Sequence, residues 1–97
     1  MADLKKLSHS EIAESIYNLE GWSLSGGKLH KEFKFNDFRE AFAFMTKAAE
    51  AAEAMNHHPE WFNVYNIVKV YLSTHDVDGI SDRDFELAVK MENFVKS

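Results

Sequence analysis

Between Phe38 and Met55 the apolar residues Phe38, Ala41, Phe42, Met45, Ala48, Ala49, Ala52 and Met55 recur at helical spacing, and the only proline of the chain follows at position 59. No other segment restricts the fold as strongly. Asn36 and Asp37 supply N-cap side chains for a helix about five turns long. Pro59 cannot continue such a helix and pushes His58 towards extended backbone, so a long helix must give way to strand at "NHHP". Ala43, Phe44 and Ala51 widen the apolar surface beyond one stripe. The helix is therefore either deeply buried or covered on a second face by another subunit.

The flanking segments have shorter periods. Ser8 to Leu19 reads as a helix with Ile12, Ile16 and Leu19 on one side, and Ser8 with Glu11 gives the capping-box spacing. "WSLS" and "LHKEFKF" read as strands joined through Gly26 and Gly27. In the second, Leu29, Lys31, Phe33 and Phe35 share a face and His30, Glu32 and Lys34 share the other. Beyond Pro59, "WFNV" and "IVKVYLST" read as a further strand pair around Tyr65 and Asn66. Val68, Val70, Leu72 and Thr74 point one way; Lys69, Tyr71, Ser73 and His75 point the other. Ser81 with Asp84 opens a last helix carrying Leu87, Ala88, Met91, Phe94 and Val95.

The order α-β-β-α-β-β-α predicts an α+β fold, a four-stranded antiparallel sheet with helices packed on one face. With 97 residues, 45% of them apolar and eight of them Phe, one core and a single domain spanning 1–97 are expected. Cysteine is absent, which excludes disulfides, thiol nucleophiles and Cys-ligated metals. The net charge is -5 and the eleven Lys and Arg are scattered, which argues against direct nucleic-acid binding. No apolar run is long enough to span a bilayer or form a signal peptide, so the expectation is a soluble, intracellular, cytoplasmic protein with no membrane partner.

The candidate chemistry lies in histidines at element ends, since imidazole exchanges protons near neutral pH with little tuning. His57, His58 and His75 occupy such positions, whereas His9 and His30 lie on polar faces and read as solvated surface residues. Taken alone, the His57–His58 pair also suits a helix C-terminus, where a cationic ring meets the dipole. Neither HxH nor HxxxH spacing occurs, which disfavours zinc and leaves no metal site expected. Asp84 in "SDRD" has a capping role open to it, and Trp61 and Tyr65 read equally as pocket walls or as core aromatics.

"HHPEWFNVYN", "LSTH" and "GISDRD", with Glu53 ahead of them, resemble the signature of the pterin-4a-carbinolamine dehydratases, and the order of elements agrees from Ser8 onwards. One departure is Ala54, where many members carry Lys beside the acidic residue. The resemblance implies a hydro-lyase that dehydrates 4a-hydroxytetrahydrobiopterin to quinonoid dihydrobiopterin, with no metal or organic cofactor. It implies acid roles for His57 and His75, one on each face of the flat pterin, with binding and proton-transfer support from His58. Backbone groups near Asn56 and at Ser73, Thr74, His75 and Asp76 are expected to meet the aminopyrimidinone edge, with Glu53, Trp61 and Asp84 completing the surroundings. None of the imidazoles is expected to fill the core. The resemblance also implies a homo-oligomer, dimer or dimer of dimers. For animal members it implies a homeodomain transcription factor as partner, bound through the helix Asp37–Met55, with a nuclear location added.

Overall fold

The computed structural model describes residues 4–96, so the ends of the expected 1–97 domain, residues 1–3 and 97, lie outside it. Three α-helices, α1 (His9–Tyr17), α2 (Phe38–Met55) and α3 (Asp82–Lys96), alternate with the strand pairs β1 (Ser23–Ser25) and β2 (Lys28–Lys34), then β3 (Glu60–Val64) and β4 (Ile67–Leu72). The order is the one predicted, α-β-β-α-β-β-α. A short 3₁₀ turn at His75–Val77, absent from the sequence reading, precedes α3.

Each boundary has a local cause. Ser8 Oγ accepts from Glu11 N–H at 3.2 Å while Glu11 Oε1 accepts from Ser8 N–H at 2.8 Å, a complete capping box. Asp37 Oδ1 accepts from Glu40 N–H at 2.9 Å and starts α2. Gly26 and Gly27, with φ of 58° and 77°, make the turn between β1 and β2 that β-carbon-bearing residues would strain. Asn66 Nδ2 donates to Phe35 O at 2.9 Å and ties the β3–β4 turn to the end of β2.

The strands are ordered β1-β2-β4-β3, all neighbours antiparallel, so the two hairpins meet along β2 and β4. Register pairs Leu29 with Leu72, Phe33 with Val68, and Trp61 with Val70. Leu29, Phe33, Val68, Val70 and Leu72 are buried, as expected of one face with period two. Against them pack Ala41, Phe44, Ala48 and Ala52 of α2 and Leu87, Ala88 and Met91 of α3. The Phe44 ring lies 4.7 Å from that of Phe33 and 5.2 Å from that of Phe35. Lys31, a charge on the apolar face of β2, places its Nζ 2.5 Å from Glu92 Oε2, which also accepts from the Trp22 indole N–H at 2.9 Å.

Two sequence expectations change. The buried face of α2 runs through Ala41, Phe44, Ala48 and Ala52, while Phe38 and Phe42 of the expected stripe remain 48% and 53% exposed with rings 5.6 Å apart. The small alanines are the residues turned towards sheet and α3; periodicity alone did not rank them above phenylalanine. His30 is half-buried rather than solvated: its Nδ1 lies 2.9 Å from Val70 O and its ring stacks on Tyr71 at 4.3 Å. Cross-strand pairing of His30 with Tyr71 brings the two rings together. Among the described residues no helix is long and apolar enough to cross a membrane.

The α1 cap carries a pH dependence. The Lys5 ammonium, 2.7 Å away, and the Ser8 groups hold the Glu11 carboxyl down at about 2, against an ordinary value of 4.5. A depressed folded-state value means that this carboxylate stabilises the fold fully above about 4.5 and ceases to do so as the pH falls through about 2. Glu11→Gln should therefore lower the melting temperature slightly at pH 6, with the difference from the parent shrinking as the pH is brought down from 4.5 towards 2, read by circular dichroism melts.

Candidate active site

Helix α2 ends in a way that aims the histidine pair. Asn56 adopts the left-handed conformation (φ 51°, ψ 44°), and His57 N–H donates back to Ala52 O at 3.0 Å, a Schellman-type closure. Asn tolerates that conformation better than most side chains, and Pro59 prevents the helix from resuming. The chain therefore reverses at Asn56 and turns the His57 ring inward.

There it meets Asp84. His57 is only 7% exposed and its Nε2 lies 2.6 Å from Asp84 Oδ1. Asp84 is completely buried, and its Oδ2 accepts from Thr74 Oγ1–H at 2.8 Å and from Ser81 N–H at 3.0 Å. Thr74 Oγ1 is 2.7 Å from Ser81 Oγ. Since the single Thr74 hydroxyl hydrogen goes to Asp84, Ser81 supplies the hydrogen between the two hydroxyls. Ser81 Oγ accepts in turn from Arg83 N–H at 3.2 Å. An ionised carboxylate only accepts, so the imidazole hydrogen facing it sits on Nε2 and leaves Nδ1 for a further partner.

A second carboxylate–imidazole pair lies outside the first. His58 Nε2 is 2.8 Å from Glu53 Oε1, with both side chains largely exposed. His75 is exposed and follows Thr74 directly, at the start of the 3₁₀ turn. The loop carrying it is closed by Thr74 N–H to Gly79 O at 2.7 Å and Asp78 N–H to His75 O at 3.0 Å. Ser73, Thr74 and His75 line a hollow of about 270 Å³ together with Gly26, Gly27, Lys28, Asp78 and Gly79. Because Glu60 pairs with Tyr71, β3 begins where β4 ends, and the segments His57–His58 and Thr74–His75 share that end of the sheet.

The residues expected from sequence are thus distributed in a definite way. His57, Thr74 and Asp84 are in one hydrogen-bonded cluster, Glu53 holds His58, and Ser73 and His75 border one hollow. Asn56 is the exposed cap of α2, Asp76 is exposed in the 3₁₀ turn, and Trp61 is half-buried against the core. Tyr65, a candidate pocket wall, is instead 60% exposed at the β3–β4 turn, at the opposite end of β3 from the histidines. Its φ of 51° is imposed by the tight connection between the strands. The expectation that no imidazole fills the core is corrected at His57, because a fully buried Asp84 requires a buried donor beside it. Capping does not compete with this role, since Asp84 serves both the Ser81 N–H and His57. Ser81 and Arg83 were missed as contributors; the "SDRD" cap signals Ser81 only as a helix start. Arg83 Nη1, 3.5 Å from Met55 O, leans on the end of α2. Among the described residues no three His, Asp or Glu side chains gather as metal ligands.

Comparison with known proteins shows the family and the fold. A family model described as "Pterin 4 alpha carbinolamine dehydratase" matches residues 5–94. The chain belongs to the pterin-4a-carbinolamine dehydratase family. A protein of Rhizobium meliloti (strain 1021) named "Putative pterin-4-alpha-carbinolamine dehydratase" is 57% identical over 90 residues, covering 91% of this chain and 86% of its own. One of the same name from Solibacter usitatus (strain Ellin6076) is 56% identical over 87 residues, covering 90% and 92%. A crystal structure from Brucella Melitensis, a "transcriptional coactivator/pterin dehydratase", superposes with a TM-score of 0.90 at 43% identity, covering 93% of this chain and 98% of its own. The dehydratase fold thus includes all seven α and β elements described above.

Removing the carboxylate should show how much of the fold it holds. Asp84→Ala leaves Thr74, Ser81 N–H and His57 without their acceptor, and loss of one partner of a buried charged pair costs about 3–5 kcal/mol. For a domain of this size that corresponds to a melting temperature lower by at least about 12 °C. Asp84→Asn, which keeps an acceptor, should lose clearly less.

Proposed function

We propose that this protein dehydrates a 4a-hydroxytetrahydropterin to the quinonoid dihydropterin, as the family name implies. The observation that supports it most is the placement of three imidazoles on segments at one end of the sheet, one of them hydrogen-bonded to a buried carboxylate. In the reaction the C4a–O bond breaks, the hydroxyl leaves as water after gaining a proton, and N5 loses its proton as the N5–C4a double bond forms. The step needs an acid at the oxygen and a base at N5, and imidazole serves either purpose near neutral pH.

His57 and His75 are the proposed acids. When His57 is cationic, Nε2–H remains bonded to Asp84 and Nδ1–H is the proton available to the departing hydroxyl. Asp84 orients the ring, in the manner of a carboxylate behind a catalytic histidine. His75 stands on another segment with an exposed ring, so the two can address hydroxyls on opposite pterin faces. His58, exposed and held by Glu53, is proposed to bind substrate and to take up the N5 proton. Backbone groups at Ser73, Thr74 and Asp76 and near Asn56 are the proposed partners of the pyrimidinone edge, with Trp61 a proposed neighbour of the substrate.

The expected outcome is faster dehydration of chemically generated carbinolamine, followed by absorbance, with chelator present and no metal added. His75→Ala and His57→Gln should each lower kcat by roughly 10² to 10⁴, unequally for the two 4a stereoisomers. Gln is chosen at position 57 because its amide can still donate to Asp84, and melts of each variant separate lost chemistry from lost fold. Near-parent rates with both isomers would overturn the two-faced acid mechanism.

A second reading rests on the exposed Phe38 and Phe42 of α2, an aromatic pair at half exposure on a helix that already buries another face. It supports a homo-oligomer, dimer or dimer of dimers, and a dimerisation-cofactor role towards a homeodomain transcription factor, in line with the coactivator description of the Brucella protein. Sedimentation should show a species larger than the 11.2 kDa chain, and Phe38→Glu with Phe42→Glu should shift it towards monomer.

A further inference from the structure

The three candidate histidines differ in what holds them. His57 Nε2 is bonded to Asp84 and His58 Nε2 to Glu53, whereas among the described residues no hydrogen bond reaches the His75 ring. The placement of that ring depends on the backbone of its loop, and the loop is weakly made from within. Its 3₁₀ turn has no side-chain cap, because the Thr74 hydroxyl is committed to Asp84. It closes through Asp78 in the left-handed conformation (φ 51°, ψ 50°), which is unfavourable for a residue with a β-carbon. Support comes from outside. Leu7 N–H donates to Ile80 O at 2.8 Å, with both side chains buried. The Lys6 stem lies across Gly79, the residue bridged to Thr74 at the base of the loop: a β-carbon at Gly79 would stand 2.7 Å from Lys6 Cε and 3.1 Å from Cδ and Cγ. Gly79 lies outside the left-handed region that Gly26 and Gly27 occupy, so its missing side chain serves this close approach. The segment is tied in turn to α1, through Lys5 Nζ to Glu11 Oε2 at 2.7 Å and through the Ser8 capping box.

We propose that Lys6 is a positioning residue for His75: its aliphatic stem, laid over Gly79, holds the loop at the setting from which His75 reaches one face of the pterin. The inference rests on the dehydratase reading and adds to it a residue that acts through His75 without touching substrate. The contact is made by methylene carbons, so the stem and not the ammonium does the holding. A glycine beneath it lets the stem come down on the Gly79 end of the Thr74–Gly79 bridge, and a covered bridge opens less often than a bare one. A reacting group misplaced by about 1 Å loses up to about 10²-fold in rate. A small shift of the loop is therefore felt at His75 while the fold, centred on Asp84, stays intact.

The test compares the full chain with Lys6→Ala, Lys6→Met, Gly79→Ala and the Lys6→Ala/Gly79→Ala double variant. In Gly79→Ala the new methyl group turns the flexible lysine aside, so this variant, Lys6→Ala and the double variant should share one defect, with losses that do not add. Each should lower kcat by about tenfold for the 4a isomer that His75→Ala slows more, and leave the other isomer close to the parent. Lys6→Met, which keeps the stem and drops the charge, should match the parent. Amide exchange at Asp78, whose N–H bonds to His75 O, should quicken in the three impaired variants. Equal slowing of both isomers, no slowing, additive losses, or a defect in Lys6→Met as large as that in Lys6→Ala would overturn the proposal. Turnover of neither isomer by the full chain would overturn the dehydratase reading, and Asp78 exchange then decides the hold of Lys6 on the loop: an unchanged rate in Lys6→Ala would overturn that as well.

Discussion

A carboxylate with no exposure to water must be surrounded by donors, and at Asp84 the donors come from three different parts of the chain. His57 arrives from the end of α2, Thr74 from just beyond β4, and Ser81 from the residue before α3. The desolvation cost of such a group is large, so the arrangement is stable only when all three are in place. It thereby fixes how α2, β4 and α3 meet, and this meeting point positions His57 and the segment that carries His75. Fold and site share one network, and a substitution inside it acts on both.

The sheet faces were legible from alternation: the buried positions of β2 and β4 are the ones that period two selects. The caps at Ser8 and Asp37 and the stop at Pro59 were legible from local chemistry. The strand order was not, because placing β2 beside β4 depends on contacts between residues some forty positions apart and leaves no short-range trace. Nor was the buried face of α2, since phenylalanine and alanine both count as apolar, and only tertiary packing shows that the closest approach requires the small one. The 3₁₀ turn at His75–Val77 was hidden for a similar reason: its closure is a bridge between Thr74 and Gly79 that no propensity scale encodes.

At the site, residue types were readable and geometry was not. The histidines and Asp84 stand out by their pattern, yet the pattern does not say that one imidazole is buried and two are exposed. The difference lies in their partners: His57 reaches the buried Asp84, while His58 reaches the exposed Glu53. Tyr65 shows the opposite failure, where sequence proximity to the histidines suggested a shared pocket that the length of β3 rules out.

The side-by-side placement of the two hairpins also bears on how the molecule forms. Either hairpin can close through its own turn, but the β2–β4 seam joins His30 to Tyr71 and Leu29 to Leu72 only after α2 has folded the intervening chain back. Such non-local closure loses conformational entropy before its contacts repay it, which slows folding relative to a chain of local contacts. Because Thr74 lies at the end of the late-paired strand, the Asp84 network cannot assemble before the seam does. A partly folded chain with both hairpins and all helices would still lack the Asp84 network, so burial of His57 on refolding should trail the recovery of helical signal.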